Sequence, residues 1–486
     1  MRARSLARLA GPAALVAFLL LPVPAGLTPP AWYMLGVTLW MAIWWIAEAV
    51  PIPATALLPI VLFPLLGILP AAEATQAYAN HLIYLFMGGF MIAVAMERWQ
   101  LHRRLALHVI RAVGTAPARL VLGFMLATAL LSMWISNTAT AMLMVTIGMA
   151  VLRQLLPGDD GFDSPLGTAL MLGIAYAASI GGVATLIGTP PNAVLAAVLD
   201  HTYGIDLQFG TWMRFALPLS LVMLLLSWWY LTRLAFPLKD VQSGESAQHI
   251  EAELRKLGRA SAAEKRVAVV FGAVALLWIF RGLIEWAPLQ AVKDSTIAIA
   301  GALLLFVLPA GDSDNSRLLD WQTAVRIPWD IIILFGGGLS LAAGFSETGL
   351  TAWLAEQLRV LQGAPLPLLI LGTGALVIFL TEVTSNTATA SLMLPVVAAL
   401  AHALQVPPLL LMVTATLCAS FAFMLPVATP PNAIVFGSRC IHMAQMARAG
   451  LWLNIIGVLL ITLFVYLWGV VFPDSQALFN LQEVAH

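Results

Sequence analysis

The hexapeptide Ser-Asn-Thr-Ala-Thr-Ala occurs twice in this chain, at residues 136–141 and 385–390, which are 249 residues apart. Each copy follows a long apolar run, so three polar side chains interrupt a segment that otherwise resembles a membrane helix. Ser, Asn and Thr are poor inside helices but good at helix N-termini, where their side-chain oxygens accept backbone N–H groups. Unsatisfied polar groups are costly in hydrocarbon, so we interpret each copy as the tip of a re-entrant helical hairpin. A polar helix cap without a ligand is the alternative for either copy alone.

The composition is that of a multi-pass membrane protein. Of 486 residues, 61% are hydrophobic and only 10% are charged. The formal net charge of zero gives no indication of nucleic-acid binding, and two cysteines, Cys418 and Cys440, imply neither a disulfide framework nor a metal cluster. The first 26 residues have the basic start and apolar run of a signal peptide. The apolar segments that follow at once favour a first transmembrane helix instead.

Thirteen apolar segments divide the chain and predict an all-α fold. Two of them, 119–152 and 365–402, carry the hexapeptides and are the predicted re-entrant hairpins. The others predict eleven crossing helices. They are 9–26, 31–49, 53–70, 81–98, 166–199, 211–232, 266–287, 295–310, 329–348, 408–438 and 449–472.

The distribution of basic residues predicts the orientation in the membrane. With the N-terminus in the cytoplasm, 20 of the 24 Lys and Arg residues fall on the cytoplasmic side. An odd number of crossings then makes the C-terminus external. We therefore expect a cell-membrane protein (inner membrane, in a Gram-negative cell). The four exceptions are Arg214, Arg281, Lys293 and Arg359.

The repeat extends beyond the hexapeptides. Phe86-Met-Gly-Gly and Phe335-Gly-Gly-Gly share the 249-residue offset, and amphipathic segments follow both, at 101–112 and 350–361. The first hairpin starts from the cytoplasm and the second from outside, so the halves are predicted inverted repeats, an architecture of transporters. The predicted division is an N-terminal helix (1–30), repeat 1 (31–235), a cytoplasmic linker (236–265), repeat 2 (266–472) and an external tail (473–486).

A second shared element, Thr-Pro-Pro-Asn, lies inside two predicted crossing helices, at 189–192 within 166–199 and at 429–432 within 408–438. Two prolines remove two backbone donors and disfavour helix at the preceding residue. We therefore expect both helices to unwind there, which at membrane depth is tolerated only where the backbone is buried in protein or lines a cavity. Structural proline kinks are the alternative.

Four broken elements of this kind can combine anion and cation binding. Helix N-termini and hydroxyls favour an anion, and free carbonyl, hydroxyl and Asn oxygens suit Na⁺. No Lys or Arg lies between residues 119 and 153, 153 and 214, or 359 and 439. The charge of a bound anion would therefore be balanced by helix ends and co-bound cations, which favours cation coupling over an Arg-lined anion pore.

These motifs, together with AEAVPIPATALLPIVLFPLLGIL at residues 47–69, resemble the divalent anion:sodium symporters, which carry di- and tricarboxylates or sulfate. The resemblance extends over nearly the whole chain. It implies a homodimer of eleven-helix protomers, each with a scaffold domain and a mobile transport domain that work by an elevator motion.

The resemblance also implies two Na⁺ sites and one substrate site. The first Na⁺ site would use Ser132, Ser136, Asn137 and the carbonyl region at Gly188. The second would use Thr381, Thr384, Ser385, Asn386 and the carbonyl region at Ala428. Substrate carboxylates would contact Asn137, Thr138, Thr189, Asn386, Thr387, Thr429 and Pro430.

Spacing bears on these assignments independently of the resemblance. Ser132 and Ser136 are four residues apart, as are Thr381 and Ser385, so each pair shares one helix face just before the break. Either earlier hydroxyl could instead bond back to a carbonyl one turn away. Glu382 is an intramembrane carboxylate, for which we prefer a bond to neighbouring backbone over proton sensing.

The predicted function is sodium-coupled symport of C4 dicarboxylates (succinate, fumarate, malate) into the cell. The alternatives are a sodium-independent dicarboxylate exchanger, a citrate or sulfate carrier on the same fold, and an anion channel. An enzyme is not expected, because the sequence lacks HExxH, G-x-S-x-G and a Cys-His cluster.

Overall fold

A computed structural model describes residues 2–155, 164–238, 244–284, 292–311, 316–359 and 363–471. The regular secondary structure of these residues is helical, apart from one isolated β-bridge between Pro309 and Arg317. The predicted external tail, 473–486, and residues 239–243 of the predicted linker lie outside the described residues.

The main helices of the first half precede a linker helix, Gly244–Leu257. They are Arg2–Leu20, Pro29–Ala47, His81–Arg98, Leu101–Val113, Pro117–Ser132, Asn137–Leu155, Pro165–Gly182, Pro190–Tyr203 and Phe209–Trp229. Those of the second half are Ala262–Phe280, Asp294–Val307, Trp329–Glu347, Leu350–Leu358, Leu366–Leu380, Asn386–Leu404, Pro408–Ser420, Pro430–Gly437 and Met443–Tyr466.

Each hexapeptide lies where one helix ends and another begins. In the first half, Pro117–Ser132 gives way to Asn137–Leu155 through residues 133–136. In the second half, Leu366–Leu380 gives way to Asn386–Leu404 through residues 381–385. We call these two units the first and second hairpins. In both, the Ser of the hexapeptide directly precedes the new helix, the position where its oxygen can accept an orphan N–H group.

Both Thr-Pro-Pro-Asn segments also mark interruptions. Residues 183–189 separate Pro165–Gly182 from Pro190–Tyr203, and residues 421–429 separate Pro408–Ser420 from Pro430–Gly437. We call these the first and second breaks. The prolines stand at the first positions of the new helices, where a missing N–H has no cost. The preceding Thr residues are extended, as a residue before proline tends to be.

The segment 53–70 differs from expectation. It was expected to form one crossing helix but forms two short helices, Ile52–Thr55 and Leu58–Leu65. A spanning helix needs about 20 residues. Prolines at 53, 59 and 64 remove backbone donors along this stretch and prevent one continuous helix.

Nine helices within the described ranges are long and apolar enough to span a bilayer. Two of these nine are the second arms of the hairpins, Asn137–Leu155 and Asn386–Leu404. The protein is thus a multi-pass, all-helical membrane protein, while eleven crossings and the direction of each crossing stay predictions.

Three further helices carry polar residues beside their apolar ones. Leu101–Val113 and Leu350–Leu358 occupy the two predicted amphipathic segments. The linker helix is held on the first of them by the ion pair of Arg103 with Glu253, and Arg104 pairs with Glu264 of the following helix, Ala262–Phe280. These pairs connect the middle of the chain to its first half.

Candidate functional site

The two hairpin tips and the two breaks surround one cavity of about 770 Å³. Side chains from elements that are far apart in sequence therefore share one space. Of the fourteen residues expected in the sites, eleven line it: Ser136, Asn137, Thr138, Gly188, Thr189, Ser385, Asn386, Thr387, Ala428, Thr429 and Pro430. Ser132, Thr381 and Thr384 are buried behind this lining.

Ser132 connects the first hairpin to the helix that leads into the first break. Its hydroxyl donates to Ala178 O over 2.8 Å and contacts the Asn137 amide. With its nitrogen turned toward the carbonyls, Asn137 donates to Ala178 O and Gly188 O, each 3.2 Å away. Three oxygens from three separate segments thus meet around the Asn137 side chain.

Thr381 makes the corresponding connection in the second half. Its hydroxyl lies 2.8 Å from Asn386 Oδ1 and 2.8 Å from Ala419 O. A hydroxyl carries one proton, so it serves only one of these two acceptors at a time. The second half therefore also presents a cluster of neutral oxygens at the hairpin tip.

The remaining hydroxyls of the two tips have different local partners. Ser136 Oγ accepts the N–H of Ala139 over 3.2 Å and caps the helix that begins at Asn137. Ser385 makes no such side-chain cap. Thr384 donates to Leu380 O over 3.0 Å and contacts the Thr389 hydroxyl, so its bonds run inside the hairpin.

Asn192 and Asn432, the last residues of the Thr-Pro-Pro-Asn segments, hold the breaks in shape. The Asn192 amide nitrogen donates to Val183 O at 3.1 Å and to Thr185 O at 2.7 Å. The Asn432 amide nitrogen donates to Ala422 O and Leu425 O, both at 3.0 Å. In the sequence, these Asn residues were considered only as part of a proline motif, and their role in holding the breaks was not predicted. Their identical spacing after two prolines was the available signal.

Two glycines, Gly182 and Gly188, permit close approach of backbones at the first break. A Cβ at Gly182 would lie 2.9 Å from Gly188 O and 3.0 Å from the nearest atom of the Asn137 amide group. Real Cβ contacts are rarely that short, so a side chain at residue 182 would displace the Asn137 amide or the Gly188 carbonyl.

The first break also touches the end of the helix that leads into the second break, Pro408–Ser420. The Thr189 hydroxyl lies 3.4 Å from the Ser420 hydroxyl, and both side chains are buried. This contact brings the two halves together beside the cavity.

Glu382 bonds to backbone, as preferred from the sequence. Its buried carboxylate accepts the N–H groups of Phe423 at 2.7 Å, Met424 at 2.9 Å and Leu425 at 3.1 Å. Asn454 of the last long helix adds a fourth donor at 2.7 Å. These partners are 41 to 72 residues away in sequence, which is why no local pattern identified them.

That no basic side chain faces the bound anion stays a prediction, although the structure places a basic residue at the cavity, Arg326. This residue lines the same cavity, as do Glu48, Glu97 and Asp330. Arg326 lies outside the three intervals that lack Lys and Arg, and the fold brings it to the cavity ahead of the helix Trp329–Glu347.

Within the described ranges, no group of three or more His, Cys, Asp or Glu residues could hold a metal ion. The hydroxyl, amide and carbonyl oxygens at the two hairpin tips are hard ligands of the kind that suit Na⁺.

Paired broken helices around one cavity, lined by both hairpin tips and both breaks, define the class of this protein: a helical membrane transporter built on discontinuous helices. Comparison with known proteins identifies the family. The chain belongs to the sodium:sulfate symporter family, whose transmembrane region matches residues 2–473.

The chain is similar to proteins named sodium-dependent dicarboxylate transporter SdcS. The protein of Staphylococcus saprophyticus is 44% identical over 466 residues, which cover 94% of this chain and 89% of the relative. The protein of Staphylococcus aureus strain USA300 is 44% identical over 444 residues, which cover 89% of this chain and 85% of the relative.

Two solved structures share the fold. The Alcanivorax borkumensis YdaH transporter matches with a TM-score of 0.55 at 15% identity, over 91% of this chain and 98% of that one. Neisseria gonorrhoeae MtrF matches with a TM-score of 0.56 at 14% identity, over 93% and 97%.

Proposed function

We propose that the protein is a secondary transporter that carries C4 dicarboxylates such as succinate, fumarate and malate into the cell together with Na⁺. One observation supports this most strongly: two equivalent clusters of neutral oxygens, one at each hairpin tip, adjoin the same cavity. Membership of a sodium symporter family and the similarity to sodium-dependent dicarboxylate transporters agree with it.

The coupling ions bind at these clusters. The first Na⁺ site consists of Ser132, Ser136, Asn137 and the carbonyl of Gly188. The second consists of Thr381, Thr384, Ser385, Asn386 and the carbonyl of Ala428. Thr381 supports this assignment because its single proton lies between two acceptors, Asn386 Oδ1 and Ala419 O. A cation nearby relieves the repulsion between such oxygens.

The dicarboxylate binds between the two tips. Asn137 and Thr138 begin one cavity-facing helix, and Asn386 and Thr387 begin another. Each helix N-terminus carries about half a positive charge, which favours a carboxylate. Thr189, Thr429 and Pro430, at the starts of the helices after the breaks, complete the substrate site.

Cation coupling drives uptake against a gradient. If three Na⁺ accompany one dianion, each cycle moves one net positive charge inward. A membrane potential of about 100 mV then contributes roughly 2.3 kcal/mol per cycle, in addition to the Na⁺ gradient.

The finer architecture is part of the same proposal. The protomer has eleven crossing segments in two inverted repeats, 31–235 and 266–472, with a cytoplasmic N-terminus and an external C-terminus. Two protomers form a homodimer, and the hairpins and broken helices move as an elevator against a static scaffold. The paired bonding of Ser132 and Thr381 supports the repeat relationship.

Uptake of radiolabelled succinate into proteoliposomes tests the function. With Na⁺ outside, we expect concentrative uptake that is lost when Na⁺ is replaced by K⁺ or choline. Unlabelled fumarate and malate should compete, whereas citrate and sulfate should compete weakly. Counterflow of equal rate without Na⁺ would contradict symport and favour the sodium-independent exchanger.

A further inference from the structure

The two hairpin tips are hydrogen-bonded to the two breaks through different kinds of side chain. In the second half, a side chain of the hairpin, Glu382, accepts three backbone N–H groups of the break. The residue at the equivalent position of the first half, 249 residues earlier, is Met133, which has no polar side chain.

In the first half, the side chain that joins the hairpin tip to the break is a neutral hydroxyl, and it belongs to the break instead of the hairpin. Thr185 of the first break donates to the backbone carbonyl of Met133 over 2.6 Å. The same hydroxyl accepts the N–H of Gly188 over 3.1 Å. A hydrogen bond from an uncharged side chain is therefore enough to hold a hairpin tip against a break. A carboxylate is not required for this structural role.

The Glu382 carboxylate acts only as an acceptor. Both of its oxygens receive N–H donors, four in all, which is the bonding of an ionised carboxylate. Its side chain is 3% exposed. Among the described residues, the salt bridges include no partner for Glu382, so its charge is met by dipoles alone.

This charge lies next to the second oxygen cluster. Glu382 directly follows Thr381, and its donor Leu425 is three residues before Ala428. A negative charge in a medium of low dielectric constant attracts a nearby cation over several ångströms. The first cluster has no such neighbour at the equivalent position.

We propose that Glu382 is a positioning residue that makes the two cation sites unequal: it holds the second break in place and increases the affinity of the second Na⁺ site above that of the first. The second site then fills first as Na⁺ rises, and transport requires that both sites are occupied. This inference depends on the proposed sodium-coupled function.

Three variants separate the effect of the Glu382 charge from the effect of the hydrogen bonds between hairpin tip and break. Glu382→Gln keeps the size but removes the charge. Glu382→Asp keeps the charge but shortens the side chain and weakens the bonds to residues 423–425. Thr185→Val removes the neutral connection of the first half without any change of charge.

The measurements are the initial rate of succinate uptake in proteoliposomes against Na⁺ concentration, and the Tm of each purified variant in Na⁺ and in K⁺. For E382Q, we expect the Na⁺ concentration for half-maximal rate to rise about tenfold, with the succinate KM at saturating Na⁺ within about threefold of wild type. For E382D and T185V, we expect a lower Tm but a half-saturating Na⁺ concentration within about threefold of wild type.

The proposal is overturned if E382Q leaves the Na⁺ half-saturation unchanged, or if E382D and T185V raise it as much as E382Q does. If E382Q does not fold, the E382D variant is used to test the proposal. A folded E382D protein with wild-type Na⁺ half-saturation supports the role of the Glu382 charge. A tenfold rise in its Na⁺ half-saturation contradicts that role. Failure of the proposed function has a different signature, since wild-type uptake would then be independent of Na⁺.

Discussion

Ser132 and Thr381 make the same bond in the two halves of the protein. Ser132 donates to Ala178 O, and Thr381 lies equally close to Ala419 O, with 2.8 Å between the oxygens in each case. Each hydroxyl also contacts the Asn that begins the next helix, Asn137 or Asn386. The two tips are therefore built alike, although one uses Ser and the other Thr.

This relationship predicts the effect of removing the hydroxyl. Thr381→Val should lower the free energy of unfolding by about 1–3 kcal/mol, because Ala419 O and Asn386 lose a buried partner. Uptake should fall by about tenfold or more, since Asn386 is no longer held at the tip. Thr381→Ser should keep most of the activity because it retains the hydroxyl.

A hydroxyl in the same kind of hairpin provides the control for this series. Thr146 bonds only to Met142 O within its own helix and is exposed. Thr146→Val should leave succinate uptake near the wild-type rate. If Thr381→Val and Thr146→Val behave alike in uptake and in Tm, the hydroxyl of Thr381 does not support the site.

Asn137→Ala and Asn386→Ala should each abolish most transport. Each removes an amide that is proposed to contact both a cation and the dicarboxylate, and two such bonds correspond to a loss of about 100-fold. Size-exclusion profiles and Tm should show a folded protein. Normal uptake by either variant at low Na⁺ would show that the site assignment is wrong.

Gly182→Ala tests the close packing around Asn137. The new Cβ would crowd Gly188 O and the Asn137 amide, so succinate uptake and its Na⁺ dependence should be lost together. Gly372→Ala is the matched control, because that Cβ would meet nothing within 4 Å. Gly372→Ala should transport normally. Equal activity of the two variants would mean that the first cation site does not lie between residues 137 and 188.

The linker helix should detach at acidic pH. Lys256 and then Arg103 hold the pKa of Glu253 below its usual value, so the charged carboxylate is favoured in the folded protein. This stabilisation is present at neutral pH and is lost only as the pH falls through the lowered pKa. A nitroxide on Ala252→Cys, an exposed position, should become more mobile as the pH falls below about 4.

Glu253→Gln provides the check on that prediction. This variant should show a mobile label already at neutral pH, with little further change on acidification. A wild-type label whose mobility is the same from neutral to strongly acidic pH would contradict the role of Glu253.

Local chemistry made the broken elements predictable. Ser-Asn-Thr and Thr-Pro-Pro-Asn each disturb a helix by capping or by loss of donors, and the helices end within a few residues of those motifs. The fourteen expected site residues came from the family resemblance, and eleven of them line one cavity.

What escaped prediction depends on contacts between distant segments. Glu382 finds donors 41 to 72 residues away, and Arg326 lines the cavity although it is far in sequence from both hairpin tips. The short helices at 52–65 escaped for another reason: hydropathy was high there, and three prolines were given too little weight against it.

The central claim is that one dicarboxylate binds between Asn137 and Asn386, with cations at both hairpin tips. A cryo-EM structure of the protein in lipid nanodiscs with Na⁺ and succinate tests it most directly. We expect substrate density in contact with both Asn side chains, which disappears when K⁺ replaces Na⁺. Succinate bound elsewhere, or bound equally well in K⁺ with no ion density at either tip, would contradict the account.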